Sequence, residues 1–158
     1  MIKITKAFMR LLLIFFIALL SGCAATAPRG NVQDEIIQKQ FLKPTQSEVI
    51  LYVYRGQDDF LSSNDTSTKK KIWVNGVEIG GLIARSYFYI KVPQGMTSIE
   101  TESEFGNNDL TFDAIGGRIY FVKQYLKMGV WLAGSDVAFD HDMKGKQTVL
   151  NSKLLKPI

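Results

Sequence analysis

The chain has 158 residues, with 19 lysines and arginines, 15 aspartates and glutamates, and a net charge of +4. Three basic residues and no acidic ones lie in the first 22 positions, so the remainder is almost neutral. A nucleic-acid-binding protein carries a clustered basic patch, and we therefore expect no nucleic-acid partner. The chain has one cysteine, which excludes an internal disulfide.

The first 22 residues have the order of an export signal, with basic residues, an apolar run at 11–20 and then small residues. A transmembrane helix needs about 20 apolar residues, and this run is too short. The sequence Leu20-Ser21-Gly22-Cys23 resembles the lipobox of bacterial lipoproteins. The resemblance implies cleavage after Gly22 and a lipid thioether on Cys23. The alternative is an ordinary signal peptide in which the cysteine has no role.

Three segments follow from this pattern: a signal peptide at 1–22, a lipidated tether at 23–33 and a single domain at 34–158. The residues after the cysteine are small and polar and include Pro28 and Gly30. Such a composition is typical of a flexible linker.

The lipid on Cys23 is the membrane contact that we expect, because a lipobox cysteine carries more than one acyl chain and multiple chains anchor firmly. The next residue is Ala24. By analogy with Gram-negative lipoproteins, in which aspartate at this position retains the protein at the inner membrane, alanine indicates the outer membrane. We therefore expect a bacterial cell-envelope protein that faces the periplasm.

Residues 34–44 predict a short helix, because Ile36, Ile37, Gln40 and Phe41 recur at helical spacing and Pro44 ends the pattern. From residue 47 the period changes to two. In SEVILYVYR (47–55) both faces are apolar, which predicts a central strand.

Five further segments alternate with a period of two and are separated by turn residues. Asn75-Gly76 suits a type I′ hairpin turn. The segments are KIWVNGVEIGGL (71–82), SYFYIKVPQG (86–95), MTSIETES (96–103), DLTFDAIGG (109–117) and RIYFVKQYL (118–126). The pattern predicts an all-β fold, a β-sandwich of prealbumin or immunoglobulin type with about seven strands.

The last part of the chain leaves alternatives open. VWLAGSDVAF (130–139) predicts either a straight or a bent strand, and GKQTVLNSKLL (145–155) predicts either a short closing helix or an extended tail.

Four of these motifs together resemble the DUF2846 family of bacterial lipoproteins. They are LYVYR (51–55), WVNGVEIG (73–80), SYF (86–88) with VPQG (92–95), and GRIYFV (117–122). The likeness covers about residues 49–122, and the hairpin also resembles the PEGA-like segments of cell-envelope proteins. These resemblances imply an all-β envelope module and supply no activity.

The chain has one histidine, His141, between Asp140 and Asp142. The three side chains would suit a general base or part of a metal site, but zinc sites take three or four ligands. A polar turn is the favoured interpretation. We therefore predict no catalytic residue, no metal and no cofactor, and we expect that the protein is not an enzyme.

Aromatic residues alternate with aliphatic ones along the strands. They either form a stacking platform for sugars or peptides, or fill the two faces of the sheets, which is the favoured interpretation. These residues are Tyr52, Tyr54, Trp73, Tyr87, Tyr89 and Tyr120.

The connection at residues 56–71 is much longer than usual between strands, and such loops are commonly either functional or disordered. Its apolar residues are Phe60 and Leu61, and it ends in Lys69, Lys70 and Lys71. These five residues form a candidate partner-contact loop. The alternatives are a calcium-binding loop, which the spacing of its acidic residues disfavours, and an insertion without a role.

Taken together, the sequence predicts a lipid-anchored envelope lipoprotein that acts as a non-enzymatic binding or structural accessory module. Its expected partner is an envelope protein or the cell wall. The alternatives are a secreted hydrolase and a subunit of a larger envelope assembly.

Overall fold

The computed structural model describes residues 27–57 and 68–158. Within these ranges the chain forms two helices and nine strands. In chain order they are α1 (Val32–Gln38), β1 (Glu48–Arg55), β2 (Lys70–Val74), β3 (Val77–Leu82), β4 (Ser86–Pro93), β5 (Gly95–Glu102), β6 (Asn107–Ala114), β7 (Ile119–Lys127), β8 (Gly134–Phe139), α2 (Asp142–Leu150) and β9 (Lys153–Leu154). No helix in the described ranges is long and apolar enough to cross a bilayer.

The strands form two sheets. The five-stranded sheet has the order β8-β7-β1-β4-β9, and the four-stranded sheet has the order β3-β2-β5-β6. β1 lies at the centre of the larger sheet, antiparallel to β4 and parallel to β7. This confirms the prediction of a central strand, whose two apolar faces are both covered.

The main core lies between the two sheets. Alternate residues of β1, β4 and β7 pack against alternate residues of β2, β5 and β6, because side chains along a strand point to opposite faces. The buried members from the strands are Val49, Leu51, Val53, Phe88, Val92, Val122 and Val137 on the larger sheet and Ile72, Val74, Leu82, Ile99 and Ala114 on the smaller one. The packing confirms the predicted all-β sandwich.

A second apolar cluster covers the other face of the five-stranded sheet. It joins strand residues to α2, to β9 and to the partly buried Phe41, and its buried members are Ile50, Tyr52, Tyr54, Tyr87, Phe121, Val149 and Leu154. α2 approaches the sheet closely at Gly145, where an added Cβ would lie 2.7 Å from Phe121 Cδ1. The glycine is therefore required by the short distance between helix and sheet.

The predicted hairpin joins β2 to β3. Asn75 has φ 51° and Gly76 has φ 77°, so both central residues are in the left-handed region that a type I′ turn requires. This confirms the predicted turn. The pairing of β2 with β3 shifts in register between Ile72 and Trp73.

Both ends of the described chain meet at one edge of the five-stranded sheet. Gly30 N donates to Leu154 O at 3.0 Å, and Lys156 N donates to Pro28 O at 2.9 Å. Ala27 is buried in the main core. The part of the predicted tether that the structure describes, residues 27–33, therefore belongs to the domain.

The alternatives at the C-terminal end are resolved by the structure. Residues 130–133 form a bend and the strand β8 begins only at Gly134. The segment 145–155 contains both a helix and a short extended piece, because α2 ends at Leu150 and β9 follows at Lys153. β8 and β9 raise the number of strands from about seven to nine.

Candidate interaction surface

Two turns at one end of the sandwich carry exposed apolar side chains. The turn between β7 and β8 carries Met128, Val130, Trp131 and Leu132, and the turn between β5 and β6 carries Phe105. All five residues are between 72% and 83% exposed. Single exposed apolar residues are ordinary on a protein surface, but contiguous ones mark an interaction site. We call these five residues the apolar tip.

The carboxylate of Glu104 holds the two turns together. It accepts hydrogen bonds from three successive backbone N–H groups, those of Val130 at 2.6 Å, Trp131, and Leu132 at 3.1 Å. Desolvation raises the pKa of Glu104, but the three N–H donors lower it more, so the net pKa is below its ordinary value. Hydrogen bonds to an ionised acceptor are stronger than neutral ones. The tip therefore keeps a defined backbone shape without a core of its own.

Beneath the tip, a buried polar network joins the two sheets. Gln124 Nε2 donates to Thr101 Oγ1 at 2.7 Å, and the hydroxyls of Thr101 and Ser135 are 2.7 Å apart. Ser135 Oγ also donates to the carbonyl of Glu102 at 2.7 Å. Because these groups lie on β5, β7 and β8, the network fixes the strands from which the two turns of the tip extend.

An ion pair joins β7 to β8 near the turn between them. Lys127 Nζ lies 2.7 Å from Asp136 Oδ2, and the Tyr125 hydroxyl donates to the same carboxylate at 3.2 Å. Desolvation raises the pKa of Asp136, but hydrogen bonds, chiefly from Lys127, lower it more, and the net pKa falls. The pair stays ionised at neutral pH and keeps the two strands in register next to the tip.

A groove of about 500 Å³ opens at the start of β7, between this strand, α2 and the segment that contains Phe41. This volume is in the range that small ligands occupy. Its lining combines aromatic and aliphatic side chains with three basic and two acidic ones, namely Phe41, Lys43, Arg118, Ile119, Tyr120, Phe121, Phe139, Asp140, Asp142 and Lys146. The described lining residues include neither a nucleophilic side chain of the serine or cysteine type nor a histidine.

The histidine considered in the sequence lies at the start of α2. His141 is the N-cap residue, and its side chain makes no capping hydrogen bond to the described helix. Asp140 accepts from the Tyr54 hydroxyl at 2.7 Å and from His141 N at 2.9 Å, so its carboxylate holds the helix start against β1. Among the described residues no group of three or more His, Cys, Asp and Glu side chains is arranged to bind a metal.

The predicted contact loop is only partly described. Phe60 and Leu61 of this loop lie outside the described residues, and so does the predicted lipid-attachment residue Cys23. Lys70 and Lys71 belong to β2, which corrects the prediction that they lie in the connecting loop.

These two lysines are held by cross-strand acidic partners. Lys70 Nζ lies 3.8 Å from Glu102 Oε1, and Lys71 Nζ lies 3.0 Å from Glu78 Oε2. Lys69, which directly precedes β2, is the last residue of the connection.

The aromatic residues mostly fill the sheet faces. Tyr52, Tyr54 and Tyr87 are fully buried, and the rings of Tyr52 and Phe121 stack with centroids 5.2 Å apart. Desolvation, followed by neighbouring tyrosines, raises the pKa of Tyr52 far above its ordinary value. Trp73, Tyr89 and Tyr120 are only partly buried, and Lys71 Nζ lies 5.9 Å from the ring centroid of Trp73.

The fold and this surface define a class of protein: a helix-covered β-sandwich with an exposed, hydrogen-bonded apolar tip. Within that class the chain belongs to the DUF2846 family, described as a protein family of unknown function, whose model matches residues 45–136. This confirms the resemblance in the sequence, and the matched region extends from just before β1 into β8.

A relative from Haemophilus influenzae, described as an uncharacterized protein, is 33% identical over 133 residues. The match covers 84% of this chain and 76% of that protein. No solved structure matches the chain.

Proposed function

We propose that the protein is a lipid-anchored lipoprotein of the bacterial cell envelope, a non-enzymatic accessory module that binds an envelope protein through its apolar tip. The observation that carries the proposal is the set of five large apolar side chains, each at least 72% exposed, on a backbone that Glu104 holds in place. Isolated monomeric domains rarely expose such a patch unless it is used for association.

The energetics of the tip favour binding. Tryptophan, methionine and phenylalanine are enriched at protein interfaces, and tryptophan dominates the energetic centres of many of them. Trp131 is 83% exposed. An aromatic side chain of this size buries roughly 200 Å² of surface, and this burial stabilises a complex by about 5 kcal/mol before the costs of association. Because the backbone of the turn is already hydrogen-bonded, less ordering entropy is lost on binding than for a free loop.

The anchor in this proposal is the lipid on Cys23. What supports it is the order of basic, apolar and small residues before the cysteine, together with the lipobox resemblance. The residue after the cysteine, Ala24, supports the outer membrane, facing the periplasm, as the place where the module works.

Site-specific photocrosslinking in the native membrane tests the binding surface. A photoreactive residue in place of Leu132 lies on the tip, and one in place of Met96, which is 71% exposed on β5, is the matched control. We expect a discrete protein adduct from position 132, none from position 96, and loss of the adduct when Trp131→Ser is added. Identical adducts from both positions, or an adduct that is insensitive to Trp131→Ser, would contradict the proposal.

The predicted contact loop is a competing surface and requires its own variant. Replacing residues 58–67 with a short glycine-serine linker keeps Thr68, whose carbonyl accepts a hydrogen bond from the buried Arg55. We expect the position-132 adduct to persist in this variant. Loss of the adduct with an unchanged unfolding temperature would contradict the tip as the contact site and would assign the contact to the loop that contains Phe60 and Leu61.

A further inference from the structure

Helix α1 presents its apolar side away from the domain. Val32, Ile36 and Ile37 are between 47% and 73% exposed, and none of the seven residues of this fully described helix is buried. At 100° per residue these three side chains lie within an arc of about 140°, which they share with the exposed Gln33. A surface helix of a globular protein normally turns such a side toward the core.

The polar side that carries Glu35 and Lys39 faces the protein instead, while Asp34 stays exposed. Glu35 accepts a hydrogen bond from Leu154 N at 3.3 Å and forms an ion pair with Lys39 at 2.6 Å. Lys39 Nζ also donates to the carbonyls of Leu150 at 3.1 Å and Ser152 at 2.8 Å. These contacts fix the helix about its own axis, so its exposed apolar side is a consequence of the fold.

The exposed side lies near the predicted lipid along the chain. Cys23 and Ala27 are four positions apart in the sequence, and an extended chain of that length spans at most about 14 Å. Ala27 is buried, and Gly30 is hydrogen-bonded to Leu154. A lipid on the cysteine therefore leaves the start of the domain very close to the bilayer surface.

Basic side chains border the same region. A shallow depression beside Val32 and Ile36 is also lined by Arg29, Lys39 and Lys153, with Glu35 as its acidic member. Basic residues next to an apolar helix side match the two layers of a membrane interface, in which anionic headgroups lie above acyl chains.

We propose that the exposed side of α1, formed by Val32, Ile36 and Ile37, rests at the headgroup–acyl boundary of the bilayer that holds the Cys23 lipid; the inference depends on the proposed anchor. The domain is then oriented by two contacts, the lipid and the helix. β8, which leads out of the apolar tip, is four strand spacings from β9, or roughly 19 Å across the sheet. The tip is thus distant from the edge that holds the anchor.

Depth-dependent fluorescence quenching in the lipidated full-length protein tests this orientation. The chain has no cysteine besides Cys23, so Ile36→Cys supplies a unique thiol for an environment-sensitive dye once the sulfur of Cys23 carries the lipid thioether. Met96→Cys, at an exposed position on another element, is the matched control. The protein is reconstituted into phosphatidylcholine vesicles with a minor phosphatidylglycerol fraction, with and without bromine on the acyl chains.

We expect the dye at position 36 to show a blue-shifted emission, strong quenching by brominated lipid and weak quenching by iodide, with the reverse pattern at position 96. Equal iodide quenching at both positions overturns the inference. Protection from iodide without quenching by brominated lipid also overturns it, in favour of a protein partner or a second copy of the chain.

Two parallel measurements separate this inference from the anchor. Fatty-acid labelling of the protein and flotation of the vesicles report the lipid itself. A protein without label overturns both the anchor and the inference. A labelled protein that floats with the vesicles but keeps a water-exposed dye at position 36 overturns the inference alone.

Discussion

The type I′ turn between β2 and β3 gives a sharp quantitative prediction, because it isolates a backbone effect. Gly76 has φ 77°, and a Cβ added there would meet no described atom within 4 Å. The turn is also held to β5, since Asn75 N donates to Ser98 O and Ser98 N donates to Asn75 Oδ1, each at 2.9 Å. A substituted turn therefore cannot change its type without losing these bonds.

The size of the effect follows from the conformation alone. A residue with a Cβ pays about 1–2 kcal/mol in the left-handed region, asparagine tolerates this region better than most residues, and a β-branched residue there is a genuine outlier. We expect Gly76→Asn to cost least, Gly76→Ala about 1 kcal/mol and Gly76→Val about 1–3 kcal/mol.

Equilibrium unfolding in urea is the appropriate measurement. The midpoint should fall in the order wild type, Asn, Ala, Val, with an unchanged slope, because the surface exposed on unfolding stays the same. A valine variant as stable as wild type would refute the type I′ turn. An asparagine variant as unstable as the valine variant would refute the argument that the cost lies in the backbone conformation.

Three further predictions concern the anchor, the helix packing and the tip. Cys23→Ser should abolish incorporation of a fatty-acid analogue, and labelling equal to wild type would rule out the anchor. Gly145→Ala gains roughly 1 kcal/mol of helix propensity but overpacks against Phe121 at about 1–3 kcal/mol; a lower melting temperature is expected, and a higher one would contradict the packing. Glu104→Gln should loosen the tip. The measurement is the fluorescence anisotropy of Trp131, which should fall, in protein whose other tryptophan, Trp73, is replaced. Because its pKa is lowered, the carboxylate stabilises the tip above its ordinary pKa and loses this effect as pH falls through the folded value, so acid should loosen the wild-type tip and leave the Gln variant unchanged.

The strands were predictable because their alternation is a local property of the chain. The segment at 86–93, for example, alternates Phe88 and Val92 with Tyr87 and Tyr89, and the structure places the two sets on opposite faces. The turn at Asn75 is equally local, since its conformation depends on the residue types at two positions.

The apolar tip could not be predicted in the same way. Its residues 130–132 begin the apolar run that predicts a strand in 130–139, and they become a bend because Glu104, 26 to 28 residues earlier, binds their backbone N–H groups. The available signal was the pair Gly129 and Gly134, which flank the run. At Gly129 an added Cβ would overlap the Glu104 carboxylate.

Helix α1 shows a second limit of local patterns. Its periodicity correctly predicts a short helix, but periodicity does not say which side faces the core. The partners that hold the polar side, Leu150, Ser152 and Leu154, come from the opposite end of the sequence. Which side stays exposed is therefore decided by contacts between distant parts of the chain.

The pairing of the two chain ends at the sheet edge also constrains when the domain can close. The residues that pair with 28–30 lie at 154–156, so they are synthesised more than 120 residues later. Residues 28–30 thus lack this edge pairing until residues 154–156 have been synthesised. Contacts between such distant residues form late in folding because closing a long loop costs entropy first.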